Sequence, residues 1–162
     1  LYTDLSGFSR NTAEFGIIHF LQTIHESERL LLPLIEEYDG ILLKVEGDSL
    51  LVIFRNVTKG SGCAVAMQRL LKEYNLDKAD EEKVLLCVGL GYGEMLRIGD
   101  EDVFGAEVNA SSKLGEDTAK AWEILVTDSV KNALSTQSEY AFEPIDEVPP
   151  GAKSAWRLIY SA

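Results

Sequence analysis

Two apolar runs, Ile41 to Val45 and Leu50 to Phe54, flank the tetrapeptide Glu46-Gly47-Asp48-Ser49. Gly-Asp between strand-like runs is a hairpin signal, because glycine accepts the positive φ that a tight turn between strands demands. The runs are therefore expected as antiparallel neighbours, and that pair constrains everything around it. Ahead of it lie a short strand-like stretch, Leu1 to Leu5, and a helical stripe of Ile17, Phe20, Leu21, Ile24, Leu31, Ile35 and Tyr38. The helix is expected to begin near Asn11 or Thr12, to kink or break at Pro33, and to end at Asp39-Gly40. Behind the hairpin come a second helix, Ser61 to Tyr74, with Val65, Leu70 and Leu71 inward, a charged loop from Asn75 to Glu82, and a strand from Val84 to Tyr92. The order β-α-β-β-α-β predicts an α/β (α+β) fold with a ferredoxin-like core.

A C-terminal extension follows. Ala106 to Ala119 is helical in pattern, Glu123 to Thr127 a strand, and Asp128 to Leu134 a short helix with Asp128 as its N-cap. Phe142 to Pro144 and Ala155 to Tyr160 read as strands around the turn Pro149-Pro150-Gly151. Gly89, Gly91 and Gly93 alternate along the Val84 to Tyr92 strand. They do not form a dinucleotide fingerprint, and their alternation suits a strand face approached closely by another backbone.

With 162 residues, 46% of them hydrophobic, the chain can bury a core of its own. Residues 1–162 read as one domain. Position 1 is not Met, and Leu1-Tyr2-Thr3 has the pattern of a strand interior, so the domain is expected to be part of a longer chain. The longest apolar run, Leu30 to Ile35, is far too short to span a bilayer. Any membrane or sensor segment would therefore belong to other parts of that chain. Lys plus Arg number 15 against 27 Asp plus Glu, a net charge of −12, which argues against nucleic acid as a partner. Cys63 and Cys87 stand apart in apolar surroundings and read as buried thiols of a reducing compartment. His19 and His25 are six residues apart on one predicted helix and face different ways, so packing is a better role for them than zinc.

Asp4 closes the first strand, just before Ser6-Gly7-Phe8-Ser9, and Asp48 sits in the hairpin turn. In a ferredoxin-like sheet the strands carrying them are adjacent, so the two carboxylates can converge at one edge. Such a pair suits two hard cations about 3.5–4 Å apart, which stabilise both oxygens of a phosphoryl displacement. The backbone N–H groups after Asp4 could hold a polyphosphate. The plainer alternative is an aspartate capping a turn and an ordinary hairpin aspartate.

Three segments carry a family resemblance. Asp4-Leu5-Ser6-Gly7-Phe8-Ser9, Lys44-Val45-Glu46-Gly47-Asp48 and Asp102-Val103-Phe104-Gly105-Ala106-Glu107-Val108-Asn109-Ala110-Ser111-Ser112-Lys113 resemble, in order, three motifs of the class III adenylate and guanylate cyclase catalytic domains. Glu123 to Thr127 resembles the strand that follows in that family. The resemblance implies that Asp4 and Asp48 hold two Mg²⁺ or Mn²⁺, with the Leu5 carbonyl as a further ligand. It places Phe8 and Ser9 beside the substrate phosphates. It puts Lys44 and Asp102 at the base-selecting positions, where a donor and an acceptor suit adenine and oppose guanine. Asn109 would position the ribose. Lys113 stands where the family usually has the arginine that steadies charge on the α-phosphate, and it lacks the bidentate fork. Lys153 is the nearest counterpart of the family's phosphate-gripping C-terminal lysine, though out of register. The stretch from Glu94 to Glu101 is shorter than the family's usual arm. The implied activity is conversion of ATP to 3′,5′-cyclic AMP and pyrophosphate in the cytoplasm, at a site shared across a homodimer. The alternative is a cyclase-homology module that binds nucleotide and regulates through dimerisation.

Overall fold

A computed structural model describes residues 1–7, 13–100, 102–135 and 140–161. The predicted hairpin is present. β2 (Ile41–Glu46) and β3 (Ser49–Ile53) pair antiparallel, Glu46 lies opposite Ser49, and Gly47 turns at φ +60°. β1 (Tyr2–Leu5) lies antiparallel between β3 and β4 (Leu86–Leu90), giving the ferredoxin-like order β2-β3-β1-β4. The extension adds β7 (Ile124–Thr127) parallel to β4, then β9 (Ala155–Ile159) and β8 (Ala141–Ile145), for a seven-stranded sheet.

Helices α1 (Ile17–Glu37) and α2 (Val57–Tyr74) cover one face of this sheet. Leu31, Ile35, Cys63, Met67 and Leu71 pack there against Leu50, Val52, Leu86 and Val88. The expected start of the first helix at Asn11 or Thr12 lies outside the described residues. Residues 13–15 are helical, and Gly16 at φ +87° separates them from α1. Pro33 does not break α1, which runs through it. Pro33 and Arg29, whose carbonyl loses its partner, both lie on the solvent side, while Leu31 and Ile35 hold the buried side in place. Asp39 ends the helix in the left-handed region at φ +58°. α2 starts four residues before the expected Ser61, because the Asn56 side chain caps it by accepting from Lys59 N at 2.8 Å.

The opposite face carries α3 (Ala106–Lys113). The α-helix was expected to reach Ala119. It stops at Lys113 and passes into a π-helical turn over Leu114–Thr118, closed by Ala119 N donating to Leu114 O at 2.7 Å. The glycine alternation has the close-approach role expected of it. A Cβ on Gly89 would lie 2.1 Å from Ser111 O, and one on Gly91 2.4 Å from Glu107 O. A second, two-stranded sheet pairs β5 (Leu96–Ile98), within the stretch Glu94 to Glu101, with β6 (Asp102–Phe104), which opens the third motif. The short helix α4 (Asp128–Leu134) has Thr127 rather than Asp128 as its N-cap, since the Thr127 side chain accepts from Val130 N. Asp128 Oδ1 instead accepts from Lys153 N at 2.9 Å and Ser154 N at 3.2 Å. Both cysteines are buried free thiols, and His19 Nε2 bonds the Glu81 carbonyl at 2.6 Å, a packing role.

Candidate active site

Strand register decides which side chains share a face. Tyr2 pairs with both Leu51 and Gly89, and Lys44 pairs with Leu51, so all four belong to the α3 face. Asp4 lies two residues along β1 and joins them, as do Glu46 and Ser49, paired two residues along the hairpin from Lys44 and Leu51. Lys44 reaches this face through a β-bulge. Leu42 pairs with Val52, whose side is covered by helices, yet Lys44 pairs with Leu51 on the other side, and the register shifts at the intervening Leu43. Two-residue periodicity alone would have left Leu42 and Lys44 on one face.

Two pairs of the sequence-derived residues come together. Asp4 and Asp48 form the first. Burial, and then the Asp48 carboxyl beside it, push the Asp4 carboxyl up from 3.8 to about 7, while Ser49 and the Leu5 backbone act the other way. Ser49 Oγ donates to Asp4 Oδ1 at 3.3 Å. Cys87 lies opposite Asp4 in register, and burial pushes its thiol up to about 12. The two carboxylates offer hard oxygen donors. No cluster of three or more His, Cys, Asp or Glu suited to a metal occurs among the described residues. Two carboxylates alone fit Mg²⁺, which keeps several waters and completes its shell with substrate phosphate oxygens.

Lys44 and Asp102 form the second pair, Nζ to Oδ1 at 3.2 Å, joining β2 to β6 across 58 residues of sequence. Lys44 Nζ also meets Glu46 Oε1 at 2.9 Å, and both carboxylates hold its ammonium above the usual lysine range. The side chains of Lys44 and Asp102 are 39% and 44% exposed, so their polar ends remain open to a ligand.

Asn109 and Lys113 sit one turn apart on α3 and are exposed. Among the described residues neither makes a hydrogen bond or ion pair with the two pairs above. Lys113 Nζ instead meets Asp117 Oδ2 at 2.6 Å. Lys153 is exposed, its backbone N–H donates to Asp128, and its charge acts on the same carboxylate. Phe8 and Ser9 lie outside the described residues. Sequence reasoning passed over Ser49, Glu46, Asp117 and Glu107. Glu107 Oε1 accepts from Thr127 Oγ1 at 2.7 Å and Tyr92 N at 3.0 Å, fixing the start of α3 to the ends of β4 and β7. The hairpin register carried the signal for Ser49 and Glu46, since both alternate onto the face of Lys44.

Comparison with known proteins identifies the family and the fold. A family model described as "Adenylate and Guanylate cyclase catalytic domain" matches residues 1–157. A Myxococcus xanthus protein, serine/threonine-protein kinase pkn2, is 31% identical over 159 residues, covering 98% of this chain and 19% of that protein. The chain thus spans about a fifth of the length of the curated relatives it matches. Among solved structures, an adenylate/guanylate cyclase/hydrolase from Silicibacter pomeroyi superposes with a TM-score of 0.79 at 22% identity, covering 99% of this chain and 94% of that one. The adenylyl cyclase CyaB from P. aeruginosa gives 0.71 at 15% identity, with 99% and 92% covered. A dimeric guanylyl cyclase domain of a RhoGC fusion protein from Blastocladiella emersonii gives 0.77 at 16%, with 98% and 91% covered. At these identities the structural likenesses speak for the fold.

Proposed function

This chain belongs to the adenylate and guanylate cyclase catalytic domain family, and from that premise we propose that it is an adenylate cyclase, converting ATP to 3′,5′-cyclic AMP and pyrophosphate as a homodimer. The observation that carries the choice of base is the Lys44–Asp102 pair at 3.2 Å. Its ammonium donates to adenine N1, and its carboxylate accepts from the adenine amino group. Guanine presents a donor at N1 and an acceptor at O6, so the same pair would meet like with like.

Asp4 and Asp48 would hold Mg²⁺ or Mn²⁺, with the Leu5 carbonyl beside them. Bound divalent ions of this kind lower the pKa of a hydroxyl and neutralise phosphate charge. Asn109 orients the ribose so that its 3′-oxygen faces the α-phosphorus in line with the departing pyrophosphate. The bond from O3′ to the α-phosphorus forms as the bond to the bridging oxygen breaks. Lys113 sets its ammonium against the α-phosphate oxygens where charge develops. In the dimer one protomer supplies the aspartates, and its partner supplies the base-binding pair, the asparagine and the lysine. The site faces the cytosol, where ATP is abundant. No helix among the described residues is long and apolar enough to cross a membrane.

A product assay tests this. The protein is incubated with ATP or GTP and Mg²⁺ or Mn²⁺ over a range of protein concentrations, and cyclic nucleotide is detected by mass. Cyclic AMP with little cyclic GMP, and a specific activity that rises with protein concentration, is the expected result. Cyclic GMP as the main product would overturn the base assignment. A second reading, a nucleotide-binding regulatory module, draws on the engagement of Lys113 by Asp117. ATP binding without any cyclic product would favour it.

A further inference from the structure

Resting on the reading of Lys113 as the group that faces the α-phosphate, we propose that Asp117 is a positioning residue that latches Lys113 in the resting protomer. ATP must break this ion pair before the ammonium can act. Lys113 is the last residue of α3, and the chain runs on into the π-turn of Leu114–Thr118. The inner side of that turn is fixed. A Cβ on Gly115 would lie 3.0 Å from Tyr2 Cδ1 and 3.1 Å from Gly89 N, so the turn rests directly on β1 and β4. Its outer side carries Glu116 and Asp117, both exposed, and Asp117 Oδ2 stands 2.6 Å from Lys113 Nζ. Glu116 adds to the negative field on the same ammonium.

The direction of the pair matters. Side chains on an α-helix lean toward its N-terminus, so an unpaired lysine at 113 lies back over Asn109, one turn earlier. Asp117 holds the ammonium on the C-terminal side, toward the π-turn. Lysine before aspartate at this spacing is the weaker order of charges along a helix. The two side chains are 56% and 50% exposed, so the latch is held loosely and a polyphosphate can open it. A guanidinium could serve two anions from separate edges of its fork. An ammonium is one compact charge on a flexible stem, and when drawn to Asp117 it leaves the phosphate side. The latch is thus a consequence of having lysine at this position.

The test uses Asp117→Asn, Asp117→Glu, Lys113→Ala and the double variant Asp117→Asn/Lys113→Ala, with initial rates measured over a range of ATP concentrations. An exposed ion pair of this kind changes an equilibrium by a factor of about 1.5 to 5. Asp117→Asn is therefore expected to lower KM for ATP about 1.5- to fivefold, with kcat changed by less than about twofold. Asp117→Glu, which still reaches the ammonium, restores the wild-type KM. In the Lys113→Ala background Asp117→Asn has no effect on KM. A rise in KM, no change, or an equal fall without Lys113 overturns the latch. Lysine-selective NMR reads the pair independently of turnover. The Lys113 Nζ signal should shift in Asp117→Asn, and should shift likewise when ATP binds to the wild type. A Lys113 signal unmoved by saturating ATP overturns the proposal, whereas the absence of any cyclic product would count against the cyclase reading alone.

Discussion

Asp4 provides a sharp test of the site in the metal-free protein, through replacement by Asn. Burial and the neighbouring Asp48 give Asp4 a higher proton affinity when folded, about 7, than its ordinary 3.8. The folded state therefore binds more protons than the unfolded one between these values, and stability must fall as pH rises through that window. At about 1.36 kcal/mol for each tenfold change in proton affinity, the full rise corresponds to about 4 kcal/mol. Asp4 is only half-buried, so water screens the charge and about 2 kcal/mol is the expected penalty. Asp4→Asn removes the ionisation, and the difference between the two proteins cancels the titration of carboxylates remote from the Asp4–Asp48 pair. In EDTA the wild type and the variant should differ by a constant offset at and below about pH 4. By pH 8 the variant should gain about 2 kcal/mol on the wild type, about 4–8 °C in Tm for a domain of this size. Adding Mg²⁺ or Mn²⁺ at pH 8 reverses the order. Metal at a hundred times its Kd stabilises the wild type by about 2.7 kcal/mol, and the variant, which lacks one of the two carboxylates, gains much less. Urea titrations at intervals from pH 4 to 8, with and without metal, measure both effects. A difference between wild type and variant that stays constant across this range would refute the account of Asp4, and equal metal responses would refute its assignment as a ligand.

Other consequences are as direct. Lys44→Ala, which on the proposed function removes a charge-assisted donor to the base, should lower kcat/KM for ATP about 10- to 100-fold while leaving urea stability nearly unchanged. Gly89→Ala, whose methyl would enter the backbone of α3 at 2.1 Å, should cost about 3 kcal/mol or more in urea titrations, and a loss below about 0.5 kcal/mol would show that the helix can lift off the sheet. Thr127→Ala loses the cap of α4 and the partner of Glu107 at once, so a loss of about 2 kcal/mol is expected, together with a lower kcat if the placement of α3 depends on that bond.

Local signals with a single structural solution were legible in the sequence. The Gly47-Asp48 turn, the stripe of α1 and the alternation of Gly89 and Gly91 each led to the element that formed. Pairing order followed from these, because a hairpin between two helical crossovers leaves few ways to place β1 and β4. Features decided by one extra residue were not legible. The bulge at Leu43 leaves no mark in an apolar strand, although it is what turns Lys44 onto the face of Asp4. The π-turn after Lys113 continues a helical pattern and differs only in where the next carbonyl finds its donor. The cap of α4 went to Thr127 because the Asp128 carboxylate is held by Lys153 N and Ser154 N, contacts from 25 and 26 residues away that no local rule supplies. Of the proposed site residues, Asp4 with Asp48 and Lys44 with Asp102 meet within one protomer. Asn109 and Lys113 share a helix, and among the described residues their side chains make no hydrogen bond or ion pair with either pair.

The glycine contacts beneath α3 have a mechanical meaning as well. Helices normally ride on a sheet over a layer of side chains, whose rotamers can change and let the helix slide by an ångström or two. Here the Ser111 carbonyl presses on Gly89 of β4 and the Glu107 carbonyl on Gly91 just beyond it, and neither glycine puts a side chain between. The α3 helix and strand β4 therefore move together as a single plate. On the proposed function, any movement that brought Asn109 and Lys113 to a substrate would have to tilt that plate whole.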